Sequence, residues 1–74
     1  MEIKEFIEKF VEAVEVESAT VKPDSKFRDF EEWSSLSTLS LIAMVDEEYG
    51  KTLTGEHIRN SSTVEDLFEI VQNL

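Results

Sequence analysis

Residues 34–50 read Ser34-Ser35-Leu36-Ser37-Thr38-Leu39-Ser40-Leu41-Ile42-Ala43-Met44-Val45-Asp46-Glu47-Glu48-Tyr49-Gly50, and this stretch decides the fold. Serine hydroxyls cap the free N–H groups of a helix start, so a helix should begin at Ser34 or Ser35. Leu36, Leu39, Leu41, Ile42, Ala43, Met44, Val45 and Tyr49 carry it forward, and Gly50 supplies the residue type that ends helices in a left-handed conformation. The apolar stripe is wider than a surface helix needs. Such breadth belongs to a central helix touching neighbours on two sides, or to one that also shows an apolar strip to a partner, and both can hold.

On the N-terminal side, Ile3, Phe6, Ile7, Phe10, Val11 and Val14 follow the i, i+3, i+4, i+7, i+8, i+11 series with mostly Glu and Lys between them. That spacing predicts an amphipathic first helix. Val14-Glu15-Val16-Glu17 alternates like a strand, but the chain offers it no partner strand, so it reads as the fraying helix end. From Ser18 to Ser34 the helical period is lost, Pro23 interrupts and Asp24-Ser25 supplies turn chemistry, while Val21, Phe27, Phe30 and Trp33 remain to be buried. A loop of that length inside a small domain is uncommon and often functional.

On the C-terminal side, Thr54 can cap a single helical turn carrying Ile58 inward. Ser62-Thr63-Val64-Glu65 reads as a capping box with Ser62 and Glu65 at its ends, followed by Val64, Leu67, Phe68, Val71 and Leu74 at helical spacing. No internal repeat or low-complexity tract appears. The expected fold is all-α: a small four-helix bundle, three main helices plus one short helix, with a long first loop, forming a single domain over residues 1–74.

Seventeen acids against seven bases give a formal charge of −10, which repels nucleic-acid phosphates and anionic lipid and attracts basic protein surfaces. The 41% of hydrophobic residues, regularly spaced, argue for a folded chain despite that charge. There is no cysteine, so neither a disulfide framework nor a thiolate nucleophile is available. Met1-Glu2-Ile3-Lys4-Glu5 carries charge through its first turn with no uninterrupted apolar block after it, so neither a signal peptide nor a membrane span can be drawn. The expectation is a soluble, cytoplasmic monomer.

Catalytic equipment is thin: one histidine, and carboxylates scattered over polar helix faces where solvation explains them. Ser35 and His57 have no spacing that supports a triad. Asp46-Glu47-Glu48-Tyr49-Gly50 is no calcium loop, because the glycine falls one position early and His57 stands where a bidentate glutamate is needed. No catalytic residue and no metal site are expected. The serine concentration at the start of the second helix has an ordinary explanation, one cap plus polar-face positions at Ser37 and Ser40. It also has a chemical aptitude, since a hydroxyl there is exposed and a phosphodiester formed on it would meet the positive end of the helix dipole.

With those residues in view, the chain resembles the acyl carrier protein family from Ile3 to Leu74. Ser34-Ser35-Leu36 is similar to the family's Asp-Ser-Leu, whose serine carries 4′-phosphopantetheine, with the aspartate changed to serine. Glu47-Glu48-Tyr49-Gly50 is similar to the acidic and aromatic end of the family's second helix, and Thr63-Val64-Glu65-Asp66-Leu67 to the start of its last. Two serines compete for the attachment role. The family's serine directly precedes the leucine and stands fourteen residues ahead of the helix-end aromatic, here Tyr49, which selects Ser35. Counting from Phe30 would select Ser34, but loops tolerate insertion and helices do not.

The resemblance implies a non-enzymatic carrier that holds acyl intermediates as thioesters on a covalent 4′-phosphopantetheine arm at Ser35. Its implied partners are a phosphopantetheinyl transferase and acyl-transferring enzymes with basic docking surfaces, meeting Leu36, Leu39, Ser40, Ala43, Asp46 and Glu47. Departures point to a specialised member: Ser34, Ser37 and Ser40 where the family commonly has acids, Arg59 for a frequent acid, and Trp33 where the family tends to have a small residue. Acids remain at Asp29, Glu31 and Glu32 upstream and at Asp46, Glu47 and Glu48 downstream. An aminoacyl or peptidyl carrier, or a carrier-fold interaction domain that is never modified, are the alternatives.

A −10 charge on so small a body is self-repulsive, and salt screens it. The thermal midpoint should therefore rise from low to moderate sodium chloride, and with millimolar divalent cations, then level off. An unchanged or lower midpoint in such melts would show that repulsion does not limit stability.

Overall fold

The computed structural model of the protein describes residues 2–16, 21–31 and 33–74. Four helices follow in order: α1 over Ile3–Val14, α2 over Ser35–Tyr49, α3 over Gly55–Arg59 and α4 over Val64–Asn73, with a 3₁₀ turn at Phe27–Asp29 in the long first loop. No strand occurs among the described residues. The all-α four-helix bundle expected from periodicity is the fold observed. Glu17, the last residue of the expected fraying helix end, and Ser18, where the first loop was expected to open, lie outside the described residues, as does Glu32.

Each main helix buries one stripe at helical spacing. Phe6, Phe10 and Val14 face inward from α1, Leu41, Met44 and Val45 from α2, and Val64, Leu67, Phe68 and Val71 from α4. Phe6 meets Phe68 with ring centroids 5.7 Å apart and Tyr49 at 6.3 Å, so one ring joins α1 to both α2 and α4. Burying a side chain of that size is worth about 1.5–3 kcal/mol relative to leaving it in water. At the other end of α1, Phe10 receives Phe27, Phe30 and Trp33 from the loop, each at 6.4 Å. The long connection is thus held by the apolar anchors the sequence supplied.

The helix ends explain where the chain turns. α1 stops because Glu15 takes a left-handed conformation (φ 56°) and returns its N–H to the Val11 carbonyl at 2.9 Å. This is the helix end expected at Val14–Glu17, and a non-glycine residue accepts it at a cost of about 1–2 kcal/mol. α2 ends at Gly50, where φ is 63° and no side chain is in the way. Thr54 caps α3 as expected, and Ile58 is buried.

Two sequence expectations need correction. The capping box of α4 sits one residue later than predicted: Thr63 is the cap, its hydroxyl accepting the Asp66 N–H at 3.2 Å, while Asp66 accepts from the N–H groups of Ser62 and Thr63 at 3.0 and 3.1 Å. Both registers satisfy the same pattern, and the burial of Val64 as the first helical residue chooses between them. Leu74, counted in the apolar series, lies beyond the helix and is exposed.

Backbone groups left over at the helix ends find partners far along the chain. The loop carbonyls of Pro23 and Ser25 accept from Glu65 and Val64 at 2.8 and 3.0 Å, satisfying the first turn of α4. Arg28 reaches the Ile58 and Arg59 carbonyls at the end of α3 (2.9 and 3.3 Å), and Lys51 the Val71 carbonyl at the end of α4 (2.9 Å). Among the described residues no buried side-chain polar atom lacks a partner. A core this small depends on such closure, because each orphaned buried group costs about 1–3 kcal/mol.

The α4 cap yields a test. Thr63→Ala should lower stability by about 1 kcal/mol, a fall of about 4–8 °C in midpoint for a domain of this size. The two N–H donors, chiefly that of Ser62, hold the Asp66 carboxyl below its ordinary value of 3.8. Stability from a lowered carboxyl is present above the unfolded value and lost as pH falls through the folded one. Asp66→Ala should therefore melt below wild type at neutral pH, with the gap closing as the buffer drops below about pH 4. A gap that persists unchanged in strongly acidic buffer would show that charge on Asp66 is irrelevant to the cap.

Candidate attachment site and docking face

The chain enters α2 through three fixed points. The Trp33 N–H closes a turn onto the Phe30 carbonyl at 3.0 Å, and its indole lies nearly parallel to Phe10 and edge-on to Phe27. Ser34 is extended (φ −149°, ψ −179°) and is the N-cap residue; its N–H donates to the Ser37 hydroxyl oxygen at 3.1 Å. Ser35 is then the first helical residue. Of the two start positions the sequence allowed, Ser34 takes the cap and Ser35 the first turn. Ser37, read from sequence as a polar-face serine, is in fact 6% exposed, because its hydroxyl turns back to close the capping box.

Ser35 is exposed, and among the described residues no hydrogen bond holds its hydroxyl. The first turn of α2 carries no acid, and residues 34–40 include no charged side chain at all. A hydroxyl so placed is open to substitution, and an anion attached to it would meet the helix N-terminus without a neighbouring carboxylate to oppose it.

Beyond Ser35 the outer surface of α2 carries Leu36 at 73% and Leu39 at 63% exposure, with Ala43, Asp46 and Glu47 also exposed and Ser40 half-buried. The inner surface holds Leu41, Met44 and Val45. The wide apolar stripe thus divides in two. One part is core against α1, α3 and the rest of the bundle; the other is an unpartnered leucine pair followed by two acids about two turns along. All six residues expected on a docking face are on the outer or flanking side of α2.

Between α1 and α2 runs an open groove of about 340 Å³, bordered by Lys9, Ala13, Ser40, Ala43, Met44 and Glu47. Lys9 and Glu48 bridge its far end at 3.2 Å, an exposed ion pair of the kind that adds little to stability. Asp29 and Glu31 are exposed upstream of α2, and Glu32 lies outside the described residues. His57 is occupied in the α3 cap, where its Nδ1 accepts the Thr54 N–H at 3.1 Å. No group of three potential metal-ligating side chains gathers among the described residues. Trp33 was expected from sequence as one of the loop's apolar anchors, whereas Arg28 and Lys51 were not singled out for their contacts with helix-end carbonyls.

The helical bundle thus presents an exposed serine at the start of its second helix, beside an apolar and acidic strip. No family model matches the chain. Two curated relatives do: acyl carrier proteins from two strains of Treponema pallidum are each 36% identical over 62 residues, covering 84% of this chain and 80% of the relative. The chain belongs to the acyl carrier protein family. The likeness to these relatives supports a carrier-protein role for the chain.

Proposed function

We propose that the protein is a single carrier domain over residues 1–74 that holds acyl intermediates as thioesters on a 4′-phosphopantetheine arm at Ser35 and presents them to biosynthetic enzymes. The observation that carries this reading is the exposed Ser35 hydroxyl, on the first residue of α2 and held by no hydrogen bond among the described residues. When attached, the arm supplies a mobile thiol on which acyl groups are held. The chain's own residues do the rest: Ser35 provides the oxygen of the phosphodiester, the N-terminal dipole of α2 opposes its negative charge, and Leu36 and Leu39 offer partners an apolar contact.

The missing aspartate before Ser35 does not weaken the proposal. Ser34 is the helix cap, and serine caps as well as aspartate does, so the substitution preserves the local fold and removes only a charge. The arm raises the effective concentration of cargo at a docked enzyme, while charge complementarity brings encounters quickly and releases them easily. The partners are a phosphopantetheinyl transferase and acyl-transferring enzymes whose basic groups meet Asp46 and Glu47. The compartment is cytoplasmic and the working form a monomer.

Incubation with a phosphopantetheinyl transferase and coenzyme A should add the mass of one phosphopantetheine to the wild type and to Ser34→Ala, and none to Ser35→Ala. Modification that survives in Ser35→Ala but vanishes in Ser34→Ala would move the site. A wild type that never gains mass with several transferases would favour an unmodified interaction domain.

Docking should depend on Asp46 and Glu47, since acids persist only at that end of α2. Reversing both to lysine should slow loading by the transferase about tenfold at low salt and flatten its salt dependence, with circular dichroism unchanged. An unaltered loading rate would transfer the docking role to the upstream acids Asp29, Glu31 and Glu32.

A further inference from the structure

We infer that Trp33 is a positioning residue that selects Ser35 over Ser34 as the serine presented for attachment; this rests on the proposal that the chain carries the arm. Ser34 and Ser35 are adjacent, both are exposed, and either could cap a helix. If Ser35 became the cap, Thr38 would take the position that Ser37 now holds, and the helix would start one residue later. Capping chemistry alone therefore leaves two registers open.

What separates them is the anchor immediately before the cap. The Trp33 indole lies at 7° to the Phe10 ring with centroids 6.4 Å apart, and meets Phe27 edge-on at 5.0 Å. Phe10 and Phe27 are both fully buried, one on α1 and one in the loop's 3₁₀ turn, so they form a fixed seat. The Trp33 N–H is held by the Phe30 carbonyl at 3.0 Å. With residue 33 held by ring and backbone together, residue 34 is the one in the extended cap conformation, and its N–H meets the Ser37 hydroxyl. Ser35 is left as the first helical residue with its own hydroxyl uncommitted.

The consequence bears on a group transfer. In attachment, the Ser35 oxygen forms a bond to the β-phosphorus of coenzyme A, the pyrophosphate bond breaks, adenosine 3′,5′-bisphosphate leaves, and the serine proton passes to a base of the transferase. Such a step is sensitive to placement of the attacking oxygen, and a displacement of about an ångström caused far from the chemistry can cost as much as about 100-fold. Trp33 touches no reacting atom in this scheme. It acts through the backbone of Ser34.

The experiment compares Trp33→Gly and Trp33→Phe with wild type, all as full chains shown folded by circular dichroism. With transferase and coenzyme A, Trp33→Gly should lose about tenfold in kcat with KM for the carrier near wild type. Peptide mass analysis should find part of its arm on Ser34. Trp33→Phe, which keeps a ring on Phe10, should restore both rate and site. Loading of Trp33→Gly at the wild-type rate and solely on Ser35, or a loss confined to KM, would overturn the inference. A second readout needs no arm: amide exchange at Ser34 should quicken in Trp33→Gly and not in Trp33→Phe. If the wild type takes up no arm, the attachment proposal fails while this exchange still judges the positioning role, and unchanged exchange in Trp33→Gly overturns it.

Discussion

Phe10 is the ring on which the rest of this structure depends. It is fully buried on α1 and takes Phe27, Phe30 and Trp33 against it, so one side chain fixes three points of the long loop. Without that seat the loop would have to be ordered by its backbone alone, at an entropic cost of about 1–2 kcal/mol per residue. With it, Phe27, Phe30 and Trp33 are held against α1, and two carbonyls of the loop, those of Pro23 and Ser25, are in place to receive α4. Helix α2 and helix α4 are therefore both started by the same loop.

The same constraint sets the division of labour on α2. At 15 residues the helix is about 22 Å long at about 1.5 Å per residue, nearly the full extent of a body measuring 27 × 25 × 20 Å. Its start is tied to the aromatic seat and its end to Gly50, so its rotation is settled by Leu41, Met44 and Val45 facing inward. Leu36 and Leu39 are then outward by necessity of the helical period. Their exposure would be a liability in a protein with no partners. Under the proposed carrier role it serves as the contact surface, with the acids two turns further along supplying the attraction that brings a partner to it.

Most of the fold was legible because the helices are long enough to show a period. The bounds of α1 and α2, the Thr54 cap and the inward Ile58 follow from apolar spacing and cap chemistry, which are local properties. The proposed attachment residue is chosen by register, since Ser35 and Tyr49 are the first and last residues of one helix. What sequence left open was settled by contacts between distant residues. Ser62 and Thr63 fit the same capping pattern until Val64 is buried, and Ser37 reads as a surface residue until its hydroxyl is seen to close the Ser34 cap. Arg28 and Lys51 carry charges that a sequence assigns to solvent, yet they reach helix ends 30 and 20 residues away.

The aromatic seat also gives the molecule an optical property. Trp33 is the single tryptophan of the chain, half-buried between two phenylalanine rings and two residues from Ser35. Its emission comes from one place, with no second indole to subtract. The junction between loop and central helix is thus labelled by the chain itself, and its intrinsic fluorescence reports on the environment of the proposed attachment point without any added dye.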